Sequence, residues 1–409
     1  MTATLPEPLA MELARLDPAG YDYATLFVER VFTAAQKARA SDVHLQPTAA
    51  GLSVRWRIDG VLQTVGEFPR GQAADVVSRL KVLAGLLTYQ SDIPQEGRLE
   101  PTGNCEMRIS TFPTLHGERA VVRLFAAERQ FLYVEDLAFP AELETALLQL
   151  LSETSGAILI TGPAGSGKTT TAYACLRNIA RQSQGRRSLV SLEDPIETAL
   201  DGVSQSQVHP AGGFDLATGL RSLMRQDPEV ILVGEIRDAA TAATAFQASL
   251  TGHLVLSTFH GGGAARAAAR QVDMGIEPYL IRSGVRALLH QRLVRRLCEC
   301  ATAGSSSSAD QRLALPIGAF RIAAGCPLCA HTGYRGRLVL AEQLPPLAGE
   351  LGGAVLARQD AVELQRLALA AGMTTLFERA SQAATAGLTD PAEIRRVLGF
   401  SDVGCAASG

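Results

Sequence analysis

The chain has 409 residues, of which 47% are apolar and 5% aromatic, and its formal net charge is −3. That length holds two or three domains with cores of their own, and the near-neutral balance gives no global pull toward nucleic acid or anionic lipid. No uncharged apolar run of about 18 residues occurs, so no transmembrane helix is expected; the start, MTATLPEPLAMELARLD, lacks the basic-then-apolar order of a secretory signal, and a cytoplasmic location is expected.

After a short extension over residues 1–20, residues 21–39 carry apolar side chains at helical spacing and predict a helix. Leu52–Ile58 alternates as a strand does, and Asp59-Gly60 is a hairpin turn signal. A helix follows over about 71–87, then strands over Met107–Ser110 and Arg119–Phe125. Residues 21–130 thus read as a small α+β domain, with a linker over about 127–138. Beyond it, short apolar strands at Ala157–Thr161, Ser188–Leu192, Val230–Val233 and Leu254–Thr258 alternate with helical stretches. That order is the pattern of a parallel sheet with helices on both faces, an α/β domain. Ala301–Asp310 is Ser-rich and reads as a flexible loop, and residues 343–409 are Ala/Leu-rich with helical periodicity.

The first of these apolar strands runs into Gly162-Pro163-Ala164-Gly165-Ser166-Gly167-Lys168-Thr169-Thr170, which opens a helix. This is the G-x-x-x-x-G-K-[ST] phosphate loop. Its glycines let backbone N–H groups close on a phosphate, and the helix N-terminus adds partial positive charge. Lys168 is placed to reach the β- and γ-phosphates, and the Thr169 hydroxyl to ligate Mg²⁺. Acids end two other strands: Glu193-Asp194 after Ser188–Leu192, and Glu235 after Val230–Val233. In an open α/β sheet the C-terminal strand ends form the ligand crevice, so one carboxylate can hold the metal's water shell and the other orient the attacking water. His253 and His260 bracket the strand Leu254–Thr258 and are candidates for sensing the γ-phosphate.

Seven cysteines are present, and four cluster as Cys298-Glu-Cys300 and Cys326-Pro-Leu-Cys329. In a cytosolic chain this clustering favours a metal, with Zn²⁺ the natural ion for thiolates, over disulfides. Cys105, Cys175 and Cys405 read as structural or surface thiols.

Further blocks occur in fixed order: Ala40-Ser-Asp-Val-His-Leu-Gln-Pro47, Arg55-Trp-Arg-Ile-Asp-Gly60, Pro94-Gln-Glu-Gly-Arg98, Arg108-Ile-Ser-Thr-Phe-Pro-Thr114 and Gly117-Glu-Arg-Ala-Val-Val-Arg123. With Glu193-Asp-Pro-Ile-Glu197, Leu220–Asp238 and Thr251–His260, they resemble the secretion ATPase family of type II secretion and type IV pilus assembly. The resemblance implies a RecA-like P-loop core over 131–292, preceded by a PAS-like α+β domain over 21–130. A zinc-type cysteine module over 293–337 and a helical C-terminal region over 338–409 would follow. It implies ATP and Mg²⁺ as cofactors, Glu193 as general base, and Glu235 as the group assisting Mg²⁺. His253 and His260 would link nucleotide state to domain position, and Arg108 and Arg123 would be presented to the phosphates. It further implies a homohexamer that works on an inner-membrane platform protein, with membrane contact only through partners. The cysteine module points to the assembly and secretion branch, since retraction ATPases lack it. The N-terminal docking domain of longer members is not expected within residues 1–20. Gly261-Gly-Gly stands where relatives show Thr-Asn. A motor for a DNA-uptake pseudopilus is an alternative. So is a nucleic-acid translocase, which calls for a basic channel with aromatic side chains, and few aromatics are available.

Overall fold

In a computed structural model, which describes residues 7–71, 75–102, 105–126, 131–304 and 319–399, the chain divides into two units. Residues 127–130 of the expected linker, 305–310 of the Ser-rich loop, and Cys405 lie outside the described residues.

Alternation builds the first unit, which comprises Met1–Glu128, Leu297–Thr302 and Ile322–Gly336. Its elements are α1 (Glu7–Ala14), α2 (Tyr23–Lys37), β1 (Asp42–Pro47), β2 (Leu52–Ile58), β3 (Val61–Phe68), α3 (Val76–Leu83), β4 (Gln95–Thr102), β5 (Cys105–Thr114) and β6 (Gly117–Ala126). The strands form an antiparallel sheet in the order β3-β2-β1-β6-β5-β4. Successive side chains point to opposite faces. Val43, Leu45, Val54, Trp56, Ile109 and Val122 therefore meet Phe27, Val31 and Ala35 of α2 in one core. The turn at Asp59-Gly60 has φ of +48° and +81°, the paired left-handed geometry of a tight hairpin. Helix α3 is shorter than its apolar pattern suggested, because the Asp75 carboxylate accepts from Val77 N and Ser78 N and fixes its start.

The second unit holds Arg129–Arg296, Ala303–Arg321 and Arg337–Gly409. It contains α4 (Ala141–Leu150), β7 (Gly156–Thr161), α5 (Lys168–Ser183), β8 (Leu189–Glu193), β9 (Ser204–Gln207), α6 (Leu216–Leu223), β10 (Val230–Val233), α7 (Ala239–Leu250), β11 (Leu254–Phe259), α8 (Ala264–Asp273), α9 (Pro278–Gly284) and β12 (Val285–Leu297). A short ribbon, β13 (Thr302–Ala303) with β14 (Arg321–Ile322), comes next, then β15 (Tyr334–Gln343). Four helices follow among the described residues: α10 (Gly349–Leu356), α11 (Ala361–Ala370), α12 (Leu376–Thr385) and α13 (Pro391–Leu398).

The large sheet runs β15-β12-β7-β11-β10-β8-β9, and every pairing from β12 to β9 is parallel. Strands β7, β8, β10 and β11 are buried on both faces, which is why they read as continuous apolar runs. Leu159, Ile231, Val233 and Val255 face the core shared with α7, α8 and α9. Ile158, Ile160, Leu232 and Leu256 face the core shared with α4 and α5. Residues 131–138, expected as part of a linker, are folded: a 3₁₀ turn at Val134–Leu137 is fastened to α5. Val134 N donates to Asn178 Oδ1 at 3.0 Å, and the Arg181 guanidinium lies 3.8 Å from the Tyr133 ring centroid.

Among the C-terminal helices, α12 and α13 close over Val294 and Leu340. Here the buried Glu393 accepts from Arg295 Nη2 at 2.8 Å and Arg396 Nη2 at 2.6 Å. Burial pushes its carboxyl up, but the hydrogen bonds from Arg396 and Arg295 outweigh it and hold the group below its usual value of 4.5. A depressed carboxyl stabilises the fold above its unfolded value, and that contribution is lost as pH falls through the lower folded value. Glu393→Gln is therefore expected to cost about 1–3 kcal/mol at neutral pH and to flatten this part of the acid limb, as read by thermal melts from pH 7 downward.

Candidate active site

The phosphate loop leaves the C-terminal end of β7 and enters α5 at Lys168. Gly162 has φ +152°, and a Cβ there would meet the Ser166 hydroxyl and lie 2.6 Å from the Gln291 carbonyl. Gly167 has φ +87° at the helix N-cap. Both positions need glycine for the loop to close. From β12, Gln291 pins the loop: its Nε2 donates to Ser166 O at 2.7 Å, and its Oε1 accepts from Thr171 Oγ1 at 3.1 Å. Beside it the fully buried His290 shares a 3.1 Å bond with Thr161 Oγ1. Burial, with the charges of Arg292 and Lys168, lowers His290 to about 4, so the ring is neutral at neutral pH.

Lys168 is 9% exposed, and its ammonium donates to Gly162 O at 3.1 Å and Pro163 O at 3.0 Å. Burial lowers its pKa, and the negative charges of Glu235 and Glu197 push it back up. A desolvated ammonium whose partners among the described residues are two carbonyls is poised to take an anion. Glu235 follows β10 and is fixed from two sides. His260 Nε2, at the end of the neighbouring β11, lies 2.8 Å from Oε1, and Arg237 Nε donates to Oε2 at 2.6 Å. Arg237 also lies 3.6 Å from Asp194.

Glu193 is more enclosed than its place at a strand end suggested, and His253 lies away from the loop. Glu193, expected as general base, is 3% exposed and committed to protein donors. Its Oε1 accepts from Ser191 Oγ at 2.5 Å and Gln205 Nε2 at 3.0 Å, and its Oε2 from the Tyr173 hydroxyl. Both oxygens of Glu193 are therefore engaged by side chains of α5, β8 and β9, as both oxygens of Glu235 are engaged by His260 and Arg237. His253, expected beside the phosphates, is at the other end of its strand: its carbonyl accepts from Gly156 N, at the start of β7. A strand of six residues puts about 20 Å between its ends, and residues that bracket a strand necessarily lie at opposite ends. His253 Nδ1 instead bonds Ala248 O at 3.0 Å, at the end of α7.

Glu197, quoted in the acidic block but given no role there, is brought in by the fold. Its Oε1 accepts from Thr169 Oγ1 at 3.4 Å. Gln291 had no usable signal beyond a glutamine inside an apolar run.

In the first unit, Arg108 and Arg123 lie directly opposite each other on β5 and β6. The register extends their row through Arg98 on β4, Asp42 on β1 and Arg57 on β2. Arg123 Nε bonds Asp42 at 3.1 Å, and Arg108 Nη2 bonds Glu106 at 3.1 Å. The carboxylates of Asp42 and Glu106 thus offset the repulsion between these like charges across the strands.

The four clustered cysteines also belong to the first unit. Their Sγ atoms lie within 4.8 Å of one another, with 3.9 Å for Cys298–Cys326, 3.9 Å for Cys300–Cys329 and 3.8 Å for Cys326–Cys329. A tetrahedral ion with bonds of about 2.3 Å separates its thiolates by about 3.8 Å. Burial raises the Cys329 thiol, but N–H bonds from Cys326 and Gly333 to its sulfur bring it down to about 7. The short Cys-x-Cys spacing thus still presents both thiols, and the four cysteines could hold a metal.

No helix among the described residues is long and apolar enough to cross a membrane. The model of the family described as "Type II/IV secretion system protein" matches residues 20–396. The chain is 37% identical over 381 residues to the type IV pilus assembly ATPase PilB of Thermus thermophilus, an alignment of 91% of this chain and 42% of that protein. It is 40% identical over 373 residues to the type II secretion system protein HxcR of Pseudomonas aeruginosa, covering 90% of this chain and 76% of that one. It therefore spans less than half the length of the first of these relatives. Its fold is similar to that of the Yersinia pseudotuberculosis ATPase DotB, with a TM-score of 0.68, 19% identity and 98% of each chain covered.

Proposed function

The chain belongs to the type II/IV secretion system protein family, a family of secretion ATPases, and from that premise we propose that it hydrolyses ATP to drive assembly of pilus or pseudopilus subunits. The observation that carries this reading is the desolvated Lys168 at the phosphate loop, under the charge of Glu235 and Glu197. In this reading the loop amides of 162–169 and Lys168 hold the β- and γ-phosphates, and Thr169 contributes a hydroxyl to Mg²⁺. When bound, Mg²⁺ neutralises phosphate charge. Glu235, steadied by His260 and Arg237, assists Mg²⁺, and Glu193 is the general base.

The same reading assigns a homohexamer, cytoplasmic and peripheral to the inner membrane through a platform protein and other machine components. The pilus and secretion relatives support both cargo types. Glu193→Gln is expected to keep nucleotide binding while turnover falls by about 10²–10⁴-fold, measured as phosphate release beside a nucleotide titration. Turnover near the wild-type rate would remove Glu193 from the chemistry.

Zinc is the ion this reading places among Cys298, Cys300, Cys326 and Cys329. Metal analysis of the purified chain is expected to find close to one zinc per chain, falling toward zero in Cys326→Ser. Zinc far below one ion in the wild type would contradict it.

A further inference from the structure

Two carboxylates of the block Glu193–Glu197 point to different tasks, and their surroundings say which is which. Glu193 is sealed inside, whereas Glu197 is exposed and shares a hydrogen bond with Thr169, the second residue of α5. The segment 196–200 is tied down by side chains, two of which also bond Glu193. Tyr173, one helical turn beyond Thr169, donates its hydroxyl to Glu193 and accepts from Glu197 N at 3.2 Å. Gln205 donates to both Glu193 and the Thr198 carbonyl, and accepts from Leu200 N at 2.6 Å. Gln207 accepts from Ile196 N at 3.3 Å. Four residues of one short segment are therefore held by side chains from α5 and β9, with Tyr173 fixing the backbone of Glu197 itself.

We propose that Glu197 is a metal-facing carboxylate of the nucleotide site, acting with Thr169, and that Tyr173 is a positioning residue that holds it there. This rests on the nucleotide reading above. A threonine hydroxyl bonded to a carboxylate is a pair of hard oxygens. Mg²⁺ takes one or two such protein groups and keeps several waters, so Glu197 would act on the metal's water shell beside Glu235. The field of Glu197 on Lys168 agrees with its place at the phosphate side of the loop.

The test is titration of a fluorescent ADP analogue with and without Mg²⁺. For the wild type, Mg²⁺ tightens binding. Glu197→Gln is expected to leave the affinity in EDTA unchanged or tighter, and to lose about 10–100-fold of the Mg²⁺-dependent gain, the usual effect of removing an outer partner of a metal. Tyr173→Phe is expected to lose part of the same gain with its fold intact by circular dichroism, which a purely structural tyrosine would not do. A full wild-type Mg²⁺ gain in Glu197→Gln would overturn the proposal. Failure of the wild-type chain to bind the nucleotide under either condition would overturn the nucleotide reading itself, and this inference with it.

Discussion

Lys168→Ala is expected to abolish measurable ATP hydrolysis and to leave the fold unchanged. The ammonium sits 9% exposed, with two carbonyls of its own loop as partners at 3.1 and 3.0 Å. Carbonyl dipoles compensate a buried charge poorly, and phosphate oxygens at the same place would compensate it well. Much of its interaction energy is therefore released only when the triphosphate arrives, and more as charge develops on the transferring group. Removing one such preorganised charge costs about 10²–10³-fold in rate at least. The loop does not depend on it for closure, since Gln291 holds Ser166 and Thr171. Phosphate release and far-UV circular dichroism on the same sample separate the two effects. Hydrolysis near the wild-type rate would contradict the site.

Glu118→Gln is expected to be the most damaging single change in the first unit. Lys81 is completely buried in α3, and its ammonium donates to Glu118 Oε1 at 2.9 Å, Glu118 Oε2 at 2.8 Å and Gln90 O at 2.7 Å. With the carboxylate gone, a desolvated cation is left without its counter-charge. Breaking a buried pair from one side typically costs about 3–5 kcal/mol, whereas replacing both partners with apolar residues of similar size is often nearly neutral. The double variant Lys81→Met/Glu118→Leu should therefore recover most of the loss. The chain's single tryptophan, Trp56, lies fully buried in the same core. Its fluorescence through a denaturant titration reports this unit directly. Equal stability of Glu118→Gln and wild type would show that the pair is not a keystone.

Glu118 also shows what sequence alone could and could not yield. The block Gly117-Glu-Arg was legible as a family signature, but its glutamate is explained by a lysine 37 residues earlier, a pairing that no local pattern encodes. The apolar strands β7, β8, β10 and β11 were legible because burial on both faces leaves uninterrupted Val, Leu and Ile. Strand β12 was not, since Arg286, Arg292, Arg295 and Arg296 break its run. Strand β4 offered too few apolar residues over Gln95–Thr102 to alternate.

At the site, the loop and Glu235 were readable because both sit at C-terminal strand ends. Glu193 ends its strand too, yet Tyr173 and Gln205 claim it. Which of two acids in one block turns inward depends on side chains from α5 and β9, and spacing carries no trace of that choice. His253 could have been removed from the site by counting alone, because a residue that precedes a parallel strand lies at the wrong end of it.

The central claim is that the loop at 162–169 grips a triphosphate, and a crystal structure with Mg²⁺ and a non-hydrolysable ATP analogue tests it most directly. The β-phosphate is expected among the loop amides, with the Lys168 ammonium moved from the Gly162 and Pro163 carbonyls onto phosphate oxygens. A nucleotide bound elsewhere, or a Lys168 still bonded to its own loop with the analogue present, would contradict it.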